Sequence, residues 1–198
     1  MRRACLTVVG AVFCCLAIVL LSQAQVLGAD KVRVAVSIPP QKYFLSRIGG
    51  DRVAVEVFLP PGANPTTYEP KPSQLRNISR VSTFFPMGIP AESAWLDRLR
   101  GVNADMRIRP MYKGIERLPM ASTYEEALNP GAGPKSGRGH PDPHVWLAPP
   151  LARILAQNAR DELIRLDPDN ASLYRKNFSE LAQSINELDS ELLKLFSG

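Results

Sequence analysis

The stretch KVRVAVSIPPQKYFLSRIGGDRVAVEVFL, residues 31–59, contains the pattern that decides the fold of this chain. Its first seven residues alternate polar and apolar side chains and are rich in valine, which is typical of a β-strand. Pro39-Pro40 follow where a helix can begin, because proline lacks an amide hydrogen that the first helical turn does not use. We therefore predict a short helix at 41–48, ended by two glycines, and a second strand at 53–59.

The alternation of strand and helix continues to residue 111 and indicates the fold class. We predict a helix at 72–79, a buried strand at 81–85, a helix at 91–99 and a strand at 105–111. Strands that alternate with helices indicate βαβ units, so the predicted fold is α/β with a parallel sheet. Residues 60–70 contain four prolines and a glycine directly after a strand. This irregular loop should lie at the carboxyl edge of the sheet, where such folds bind ligands.

The last part of the chain, residues 151–198, is predicted to be a helical linker. A helix at 151–166 precedes Asp167-Pro168-Asp169-Asn170, which supplies cap residues for a long final helix. Apolar residues recur in that helix at steps of four and three: Leu181, Ile185, Leu188, Leu192 and Leu195. They form one stripe on an amphipathic helix. The stripe needs a partner surface, and a small lobe is not expected to cover all of it.

The first 29 residues have the order of a secretory signal peptide. Arg2-Arg3 precede an apolar run at 5–21, and small residues follow at the candidate cleavage sites Ala24 and Ala29. A membrane anchor is the alternative, because the run approaches the roughly 20 residues that span a bilayer. No basic cluster follows the run, so we favour cleavage and export to the periplasm.

The cysteines support an exported chain without disulfide bonds. All three lie inside the leader: Cys5, Cys14 and Cys15. Cleavage would leave a mature chain without a thiol. Lipid attachment is not expected, because Phe13 precedes Cys14 where a small residue is needed. The mature chain is predicted to consist of an α/β lobe at 30–150, with a flexible glycine-rich loop at about 113–141, and the helical linker.

The scattered charge and the lack of catalytic motifs argue against two classes of function, nucleic-acid binding and enzymatic catalysis. The formal net charge is +5, but the basic residues are scattered, so nucleic-acid binding is not expected. The sequence has no nucleophile elbow, no phosphate-binding glycine loop and no His-Glu-x-x-His helix. Solvated helix faces are the favoured interpretation of the adjacent carboxylates Glu125-Glu126 and Asp161-Glu162. We therefore predict that the chain is not an enzyme.

The candidate metal ligands are the chain's two histidines, His140 and His144. Pro141 and Pro143 exclude a helix at this spacing, so the pair belongs to a loop that enters the ordered segment 142–147. Neutral imidazole is the commonest side-chain ligand of transition metals. The simplest interpretation of His140 is a solvated loop residue. For His144, a role as a metal ligand and a purely structural role are equally supported. Zinc sites use about three or four protein ligands, so carboxylates, water or ligands from outside the chain would be required.

Four motifs occur in order along the mature chain. They are VEVFLPPGANPTTYEPKPSQ at 55–74, MGIPAESAWL at 87–96, DPHVWL at 142–147, and DPDNA at 167–171 with Tyr174 and Asn177. Together they resemble the TroA-like (cluster A-I) solute-binding proteins of ABC transporters. In that family the first and third motifs are metal-site loops, and the fourth enters a long helix between two lobes. The resemblance therefore implies the N-terminal lobe and linking helix of a two-lobed binding protein.

The resemblance also implies a ligand and its binding residues. The family captures a divalent transition metal, zinc or manganese, as transported ligand and delivers it to a membrane permease. By this resemblance His144 is a metal ligand. The family's first loop normally reads Asn-Pro-His-Thr-Tyr-Glu-Pro, and Thr66 stands where its histidine ligand would be. A neutral hydroxyl is a poor substitute for imidazole, and His140 is the candidate residue to compensate.

A second α/β lobe follows the long helix in the family and supplies the remaining ligands. This chain is expected to contain only the first lobe and the helix, so a missing C-terminal lobe or a partner chain would complete the site. The leading interpretation is a periplasmic solute-binding component that is incomplete here. The alternative is a metal-less relative that acts as an interaction or structural protein in the periplasm.

Overall fold

The computed structural model describes residues 30–120 and 140–197, and a four-stranded sheet lies at the centre of this part. Its strands are β1 (Val32–Val36), β2 (Val53–Val57), β3 (Thr83–Phe85) and β4 (Arg107–Ile108). The order across the sheet is β2-β1-β3-β4, and each neighbouring pair is parallel. The predicted α/β fold with a parallel sheet is therefore confirmed.

The described residues from Val32 onward belong to one compact unit. The predicted signal peptide, residues 1–29, lies outside the described residues, as does most of the predicted flexible loop, residues 121–139. Within the ranges 30–120 and 140–197, no helix combines the length and the apolar character that crossing a membrane requires.

The two inner strands form the middle of the hydrophobic core. Val34, Ala35 and Val36 of β1 are fully buried, and so is Phe84 of β3. The register places Val34 of β1 directly beside Thr83 of β3. Inner strands of a parallel sheet are buried on both faces, so their sequences are nearly continuous apolar runs. The edge strand β2 is only half-buried over most of its length.

Five helices complete the described fold. They are α1 (Pro39–Gly49), α2 (Pro72–Ile78), α3 (Glu92–Val102), α4 (Pro149–Leu166) and α5 (Ala171–Phe196). Helix α1 packs against β2 and against both α4 and α5, and the last two helices pack against each other. The chain therefore returns to the first strand–helix unit after residue 149. Each helix that was predicted from the sequence is present, with its ends shifted by a few residues.

The fourth strand is shorter than the predicted strand at 105–111, and a proline accounts for the difference. Strand β4 ends two residues before Pro110, which has no N–H to donate to a sheet. The backbone N–H of Arg109 still donates to the Phe84 carbonyl oxygen at 2.9 Å, and that of Met111 donates to Pro86 at 3.3 Å. The chain thus stays beside β3 beyond the end of the regular strand.

A buried glutamine holds the first connection from strand to helix. Gln41, the third residue of α1, accepts hydrogen bonds at Oε1 from the backbone N–H groups of Ser37 and Ile38, at 3.0 and 3.1 Å. Its Nε2 donates to the Phe85 carbonyl oxygen at 2.8 Å. The Gln41 side chain is fully buried, so these backbone groups have no access to water. One side chain therefore joins the carboxyl ends of β1 and β3.

Helix α5 is amphipathic, as predicted, and its apolar stripe is covered only in part. Leu181 and Ile185 are buried, whereas Leu188 is 50% exposed and Leu195 is 75% exposed. The described residues therefore cover the first half of the stripe and leave the second half accessible. This outcome agrees with the expectation that a small lobe does not cover the whole stripe.

The turn before α5 differs from the prediction of a side-chain cap at 167–170. The helix has no side-chain cap, because the Asn170 amide donates instead to both carboxylate oxygens of Asp167, each at 2.9 Å. The Tyr174 hydroxyl also donates to Asp167, at 2.6 Å. Burial alone would raise the pKa of Asp167, but these hydrogen bonds and the charge of Arg52 hold that pKa below its usual range. The carboxylate is therefore the centre of this turn.

We expect the substitution Gln41→Leu to lower the free energy of unfolding by about 2 kcal/mol or more. Leucine fills a similar volume but leaves two buried backbone N–H groups and one carbonyl oxygen without partners. Urea denaturation followed by circular dichroism measures the change. The matched control is Gln157→Leu at an exposed position of α4, which should change stability by less than about 0.5 kcal/mol. An equally small loss in both variants would contradict this account of Gln41.

Candidate metal site

The proline-rich loop after β2 forms a defined turn around Asn64. The side-chain oxygen of Asn64 accepts a hydrogen bond from the backbone N–H of Thr66 at 2.8 Å. Its carbonyl oxygen accepts another from the N–H of Tyr68 at 3.0 Å. Asparagine favours such turns because its short amide can bond to the backbone two residues further on. Thr66 is exposed on this turn, so the position of the family's first histidine is accessible.

A second glutamine joins this loop to the end of β2. Gln74, the third residue of α2, accepts hydrogen bonds at Oε1 from the Tyr68 hydroxyl at 2.8 Å and from the Lys71 N–H at 2.9 Å. Its Nε2 donates to the carbonyl oxygens of Val57 and Phe58, at 3.1 and 2.8 Å. The turn that carries Thr66 is therefore held against the carboxyl end of its strand.

The loop after β3, residues 86–91, is held by a buried carboxylate. Glu92 accepts hydrogen bonds from the backbone N–H groups of Met87 at 2.7 Å and Gly88 at 2.8 Å. Burial raises the pKa of Glu92, although the hydrogen bonds from the backbone act in the opposite direction. Gly88 has a φ of +84°, a backbone conformation that favours glycine.

The loop at 86–91 also contacts both candidate ligand segments. The N–H of Ala91 donates to the carbonyl oxygen of Pro65 at 3.1 Å, directly before Thr66. On the other side, Arg117 donates to the Met87 carbonyl oxygen at 3.2 Å. The N–H of Asp142, two residues before His144, donates to the carbonyl oxygen of Leu118, the residue after Arg117, at 2.7 Å. The segments of Thr66 and His144 are therefore both attached to the carboxyl end of β3.

The imidazole of His144 is oriented by its neighbour Asp142. One carboxylate oxygen of Asp142 contacts the backbone N–H of His144 at 2.9 Å and its ring Nδ1 at 2.7 Å. The ring of Trp146 lies beside the imidazole, with 5.1 Å between centroids. The 3-10 turn Val145–Leu147 follows, and burial of Val145 attaches it to the core. The ring is therefore held by a backbone turn, a carboxylate and an aromatic neighbour.

The electrostatics of the Asp142–His144 pair leave the lone pair on Nε2 of His144 available to a ligand. Burial alone would raise the pKa of Asp142, but hydrogen bonds from the backbone and ring of His144 and the charge of Arg117 hold that pKa below its usual range. The ionised carboxylate accepts a hydrogen bond from Nδ1–H, so the neutral ring carries its lone pair on Nε2. This is the arrangement that prepares histidines to bind metals. The His144 side chain is 49% exposed, so a ligand has access to it.

His140 lies at the exposed end of a short backbone pairing. Its carbonyl oxygen accepts a hydrogen bond from the Met120 N–H at 2.9 Å, and the N–H of Asp142 donates to Leu118 at 2.7 Å. These bonds join the two parts of the chain on either side of residues 121–139, which lie outside the described residues. His140 thus stands two residues before the carboxylate that orients His144.

The structure attaches the Thr66 and His144 segments to one edge of the sheet, but it does not assemble a complete metal cage. In the part of the chain that the structure describes, no group of three or more His, Cys, Asp or Glu side chains could hold a metal ion together. The predicted roles of Thr66, His140 and His144 as ligands remain predictions.

Sequence reasoning missed three residues that build this edge: Gln41, Gln74 and Glu92. The two glutamines share a signal, because each stands at the third helical position, and a proline occupies the first position of both helices. A glutamine at that position can bond back to the backbone before the helix. Glu92 has no comparable signal, because it is the first residue of α3 and not the third.

One sequence expectation about carboxylates is wrong. Glu162 does not lie on a solvated helix face, because it is only 7% exposed. Its carboxylate accepts hydrogen bonds from the Thr83 hydroxyl at 2.7 Å and from the Arg165 guanidinium at 2.7 and 2.9 Å. The physical reason is that α4 places Glu162 against the edge of the sheet, where arginines compensate its charge. Its neighbour Asp161 is exposed, as expected.

The sequence matches a known family over most of its length. A family model described as zinc-uptake complex component A, periplasmic, matches residues 34–198. The manganese ABC transporter substrate-binding lipoprotein scaA of Streptococcus gordonii is 31% identical over 154 residues, which are 76% of this chain and 47% of that protein. The manganese-binding lipoprotein MntA of Halalkalibacterium halodurans is 30% identical over 73% of this chain and 43% of its own length. The chain thus spans about half the length of the curated relatives it matches.

Solved structures have the same fold. A zinc-bound deletion mutant of ZnuA superposes with a TM-score of 0.72 and 36% identity, covering 85% of this chain and 59% of that one. The Mn-bound periplasmic metal-binding protein of Candidatus Liberibacter asiaticus superposes with a TM-score of 0.65, covering 79% of this chain and 54% of that one. At 22% identity, the second likeness concerns the fold alone.

We expect His144 to be protonated on Nδ1 and unprotonated on Nε2 in the neutral, metal-free protein. The reason is the hydrogen bond from Nδ1 to the Asp142 carboxylate. Two-bond ¹H–¹⁵N correlation spectra above pH 8 measure the tautomer directly, since the chain has only two histidines to assign. Asp142→Ala should shift the ring towards the Nε2–H form, whereas His140→Ala should leave it unchanged. An Nε2–H ring in the unsubstituted protein would refute the assignment.

Proposed function

Because the chain belongs to the family of periplasmic zinc-uptake components, we propose that it is the solute-binding part of a metal ABC transporter. Its substrate would be a divalent transition metal, zinc or manganese, carried without covalent chemistry. The observation that carries this proposal is the His144 imidazole, which Asp142 orients through Nδ1 and whose side chain is half exposed. Both ligand segments are also attached to the carboxyl edge of the sheet, where α/β folds bind ligands.

The chemistry of His144 suits a metal of the zinc type. Zinc is bound by neutral imidazole nitrogen, and a carboxylate on the opposite ring nitrogen raises the basicity of that ligand. The open carboxyl edge supplies a position from which a bound ion could be passed on. The family's function implies export to the periplasm and delivery of the ion to a membrane permease, and we include both in the proposal.

The remaining ligands would come from outside the described lobe. Thr66 offers only a neutral hydroxyl where the family's first loop normally has a histidine, and His140 is the residue of this chain that could replace it. The exposed half of the α5 stripe could contact a second lobe or a partner chain that completes the coordination sphere. His144 would then be the first ligand of a site shared between two surfaces.

A second candidate function is supported by a specific feature of the site. Thr66 in place of the family's histidine, together with the lack of a three-ligand group among residues 30–120 and 140–197, fits a relative that no longer binds metal. Such a protein would use the same edge as an interaction surface in the periplasm. Metal affinity distinguishes the two candidates, because only the first requires it.

We expect zinc binding to depend on His144 and to improve when position 66 becomes histidine. Four-ligand structural zinc sites gain about 10–16 kcal/mol, so one ligand contributes roughly 3 kcal/mol, or about a hundredfold in Kd. Calorimetric titration should therefore show about a hundredfold weaker binding for His144→Ala. It should show a gain of similar size for Thr66→His. Manganese is titrated in parallel to compare the two metals.

Two control variants make this titration specific. Thr67→His adds an imidazole at the neighbouring exposed position and should not reproduce the gain of Thr66→His. His140→Ala tests compensation, and a loss of affinity would assign His140 to the site. If the unsubstituted protein and Thr66→His both fail to bind either metal, the metal-binding proposal is wrong and the interaction protein is favoured.

A further inference from the structure

A group of arginines at the β4 edge shares a single buried carboxylate. Arg165 donates to Glu162 through two nitrogens, at 2.7 and 2.9 Å. The Nε atoms of Arg107 and Arg109 lie 3.6 and 3.7 Å from the same carboxylate. Burial alone would raise the pKa of Glu162, but hydrogen bonds from Arg165 and Thr83 and the charge of the arginines hold it below its usual range. Glu162 is therefore ionised and carries one negative charge against three positive ones.

The hydrogen bonds of Glu162 do not extend to Arg107 and Arg109. Its Oε1 already accepts from the Thr83 hydroxyl and from Arg165, and its Oε2 accepts from Arg165. Arg107 and Arg109 are beyond hydrogen-bonding distance from it, and Nε of Arg107 is buried without a partner within the described residues. Buried donors of a charged group are costly to leave unpaired. The cluster therefore has net positive charge and N–H donors that Glu162 does not use, and of Arg107 and Arg109 only Arg109 lines the neighbouring cavity.

A cavity of about 800 Å³ opens beside this cluster. Three cations, Arg109, Lys113 and Arg165, line it together with the carboxylates of Asp161 and Glu162, and its walls also include Phe85 and Tyr112. Asp161 is paired with Arg160 at 2.6 Å, so it adds little negative potential to the lining. The volume is in the range of pockets for small molecules.

We propose that this cavity binds a small oxyanion with two or more negative charges, such as phosphate or a di- or tricarboxylate. The guanidinium groups provide forked N–H donors that match phosphate and carboxylate oxygens, and Lys113 adds a further positive charge. The excess of cations repels a metal ion, so this cavity is not a second metal site. It shares no residue with the candidate metal ligands and does not depend on the transport proposal.

The test is a titration of the metal-free protein with sodium phosphate and, separately, with sodium citrate at constant ionic strength. A zwitterionic buffer without chelators is used, because chelators are themselves polyanions. We expect saturable binding of at least one anion with a Kd of about 1 mM or tighter. Sodium chloride should give no saturable signal. Binding of phosphate alone or citrate alone identifies the class of oxyanion.

Three variants assign the binding to the cavity. Arg109→Gln should weaken it by about tenfold or more, since hydrogen bonds to charged groups are among the strong ones. Asp161→Asn should tighten it by about twofold, because it removes a negative charge from the lining. Arg153→Gln, at an exposed position of α4 outside the lining, should leave the Kd unchanged.

Two results would overturn the proposal. One is the absence of saturable binding of both anions to the unsubstituted protein, which must be folded by circular dichroism. The other is an Arg109→Gln variant that is folded and binds the anion as tightly as the unsubstituted protein. Because Arg109 is 49% exposed, this substitution should not prevent folding.

Discussion

Backbone groups at the carboxyl ends of parallel strands need hydrogen-bond partners, and the rest of this structure depends on how they are supplied. Beyond its strands the chain turns into loops, where the regular ladder ends and buried N–H and C=O groups would otherwise be unsatisfied. Gln41, Gln74 and Glu92 supply partners after β1, β2 and β3, respectively. Each lies in the first turn of a helix, so the helices position these side chains. The loops at this edge are consequently shaped by buried contacts.

These contacts determine the geometry of the candidate metal site. The loop that Glu92 holds contacts Pro65 on one side and, through Arg117, the Asp142–His144 segment on the other. A metal ligand must keep its ring orientation before the ion arrives, and the Asp142 carboxylate provides that restraint for His144. The same edge leaves room for ligands from another surface. One oriented imidazole with few other candidate ligands is compatible with the proposal that His144 binds a metal together with ligands from another surface.

Much of the fold could be predicted from the sequence because its signals are local. Alternating valines, helix-starting prolines and glycine stops lie within residues 31–59, and they gave the first strand–helix–strand unit correctly. Contacts between distant residues gave no such signal. Gln41 bonds to a residue 44 positions away, and Glu162 bonds to Thr83 across 79 positions. This is why Glu162 was assigned to a solvated face, and why the orienting role of Asp142 emerged only from the geometry.

The most direct test of the central claim is zinc K-edge X-ray absorption on zinc-loaded His140→Ala protein. In this variant His144 is the only imidazole outside any added tag, so a histidine signal has one possible origin. We expect nitrogen or oxygen neighbours at about 2.0–2.1 Å, with the outer-shell scattering of one imidazole ring. A spectrum fitted by oxygen neighbours alone, without imidazole scattering, would contradict the claim that His144 presents a metal ligand at the carboxyl edge of the sheet.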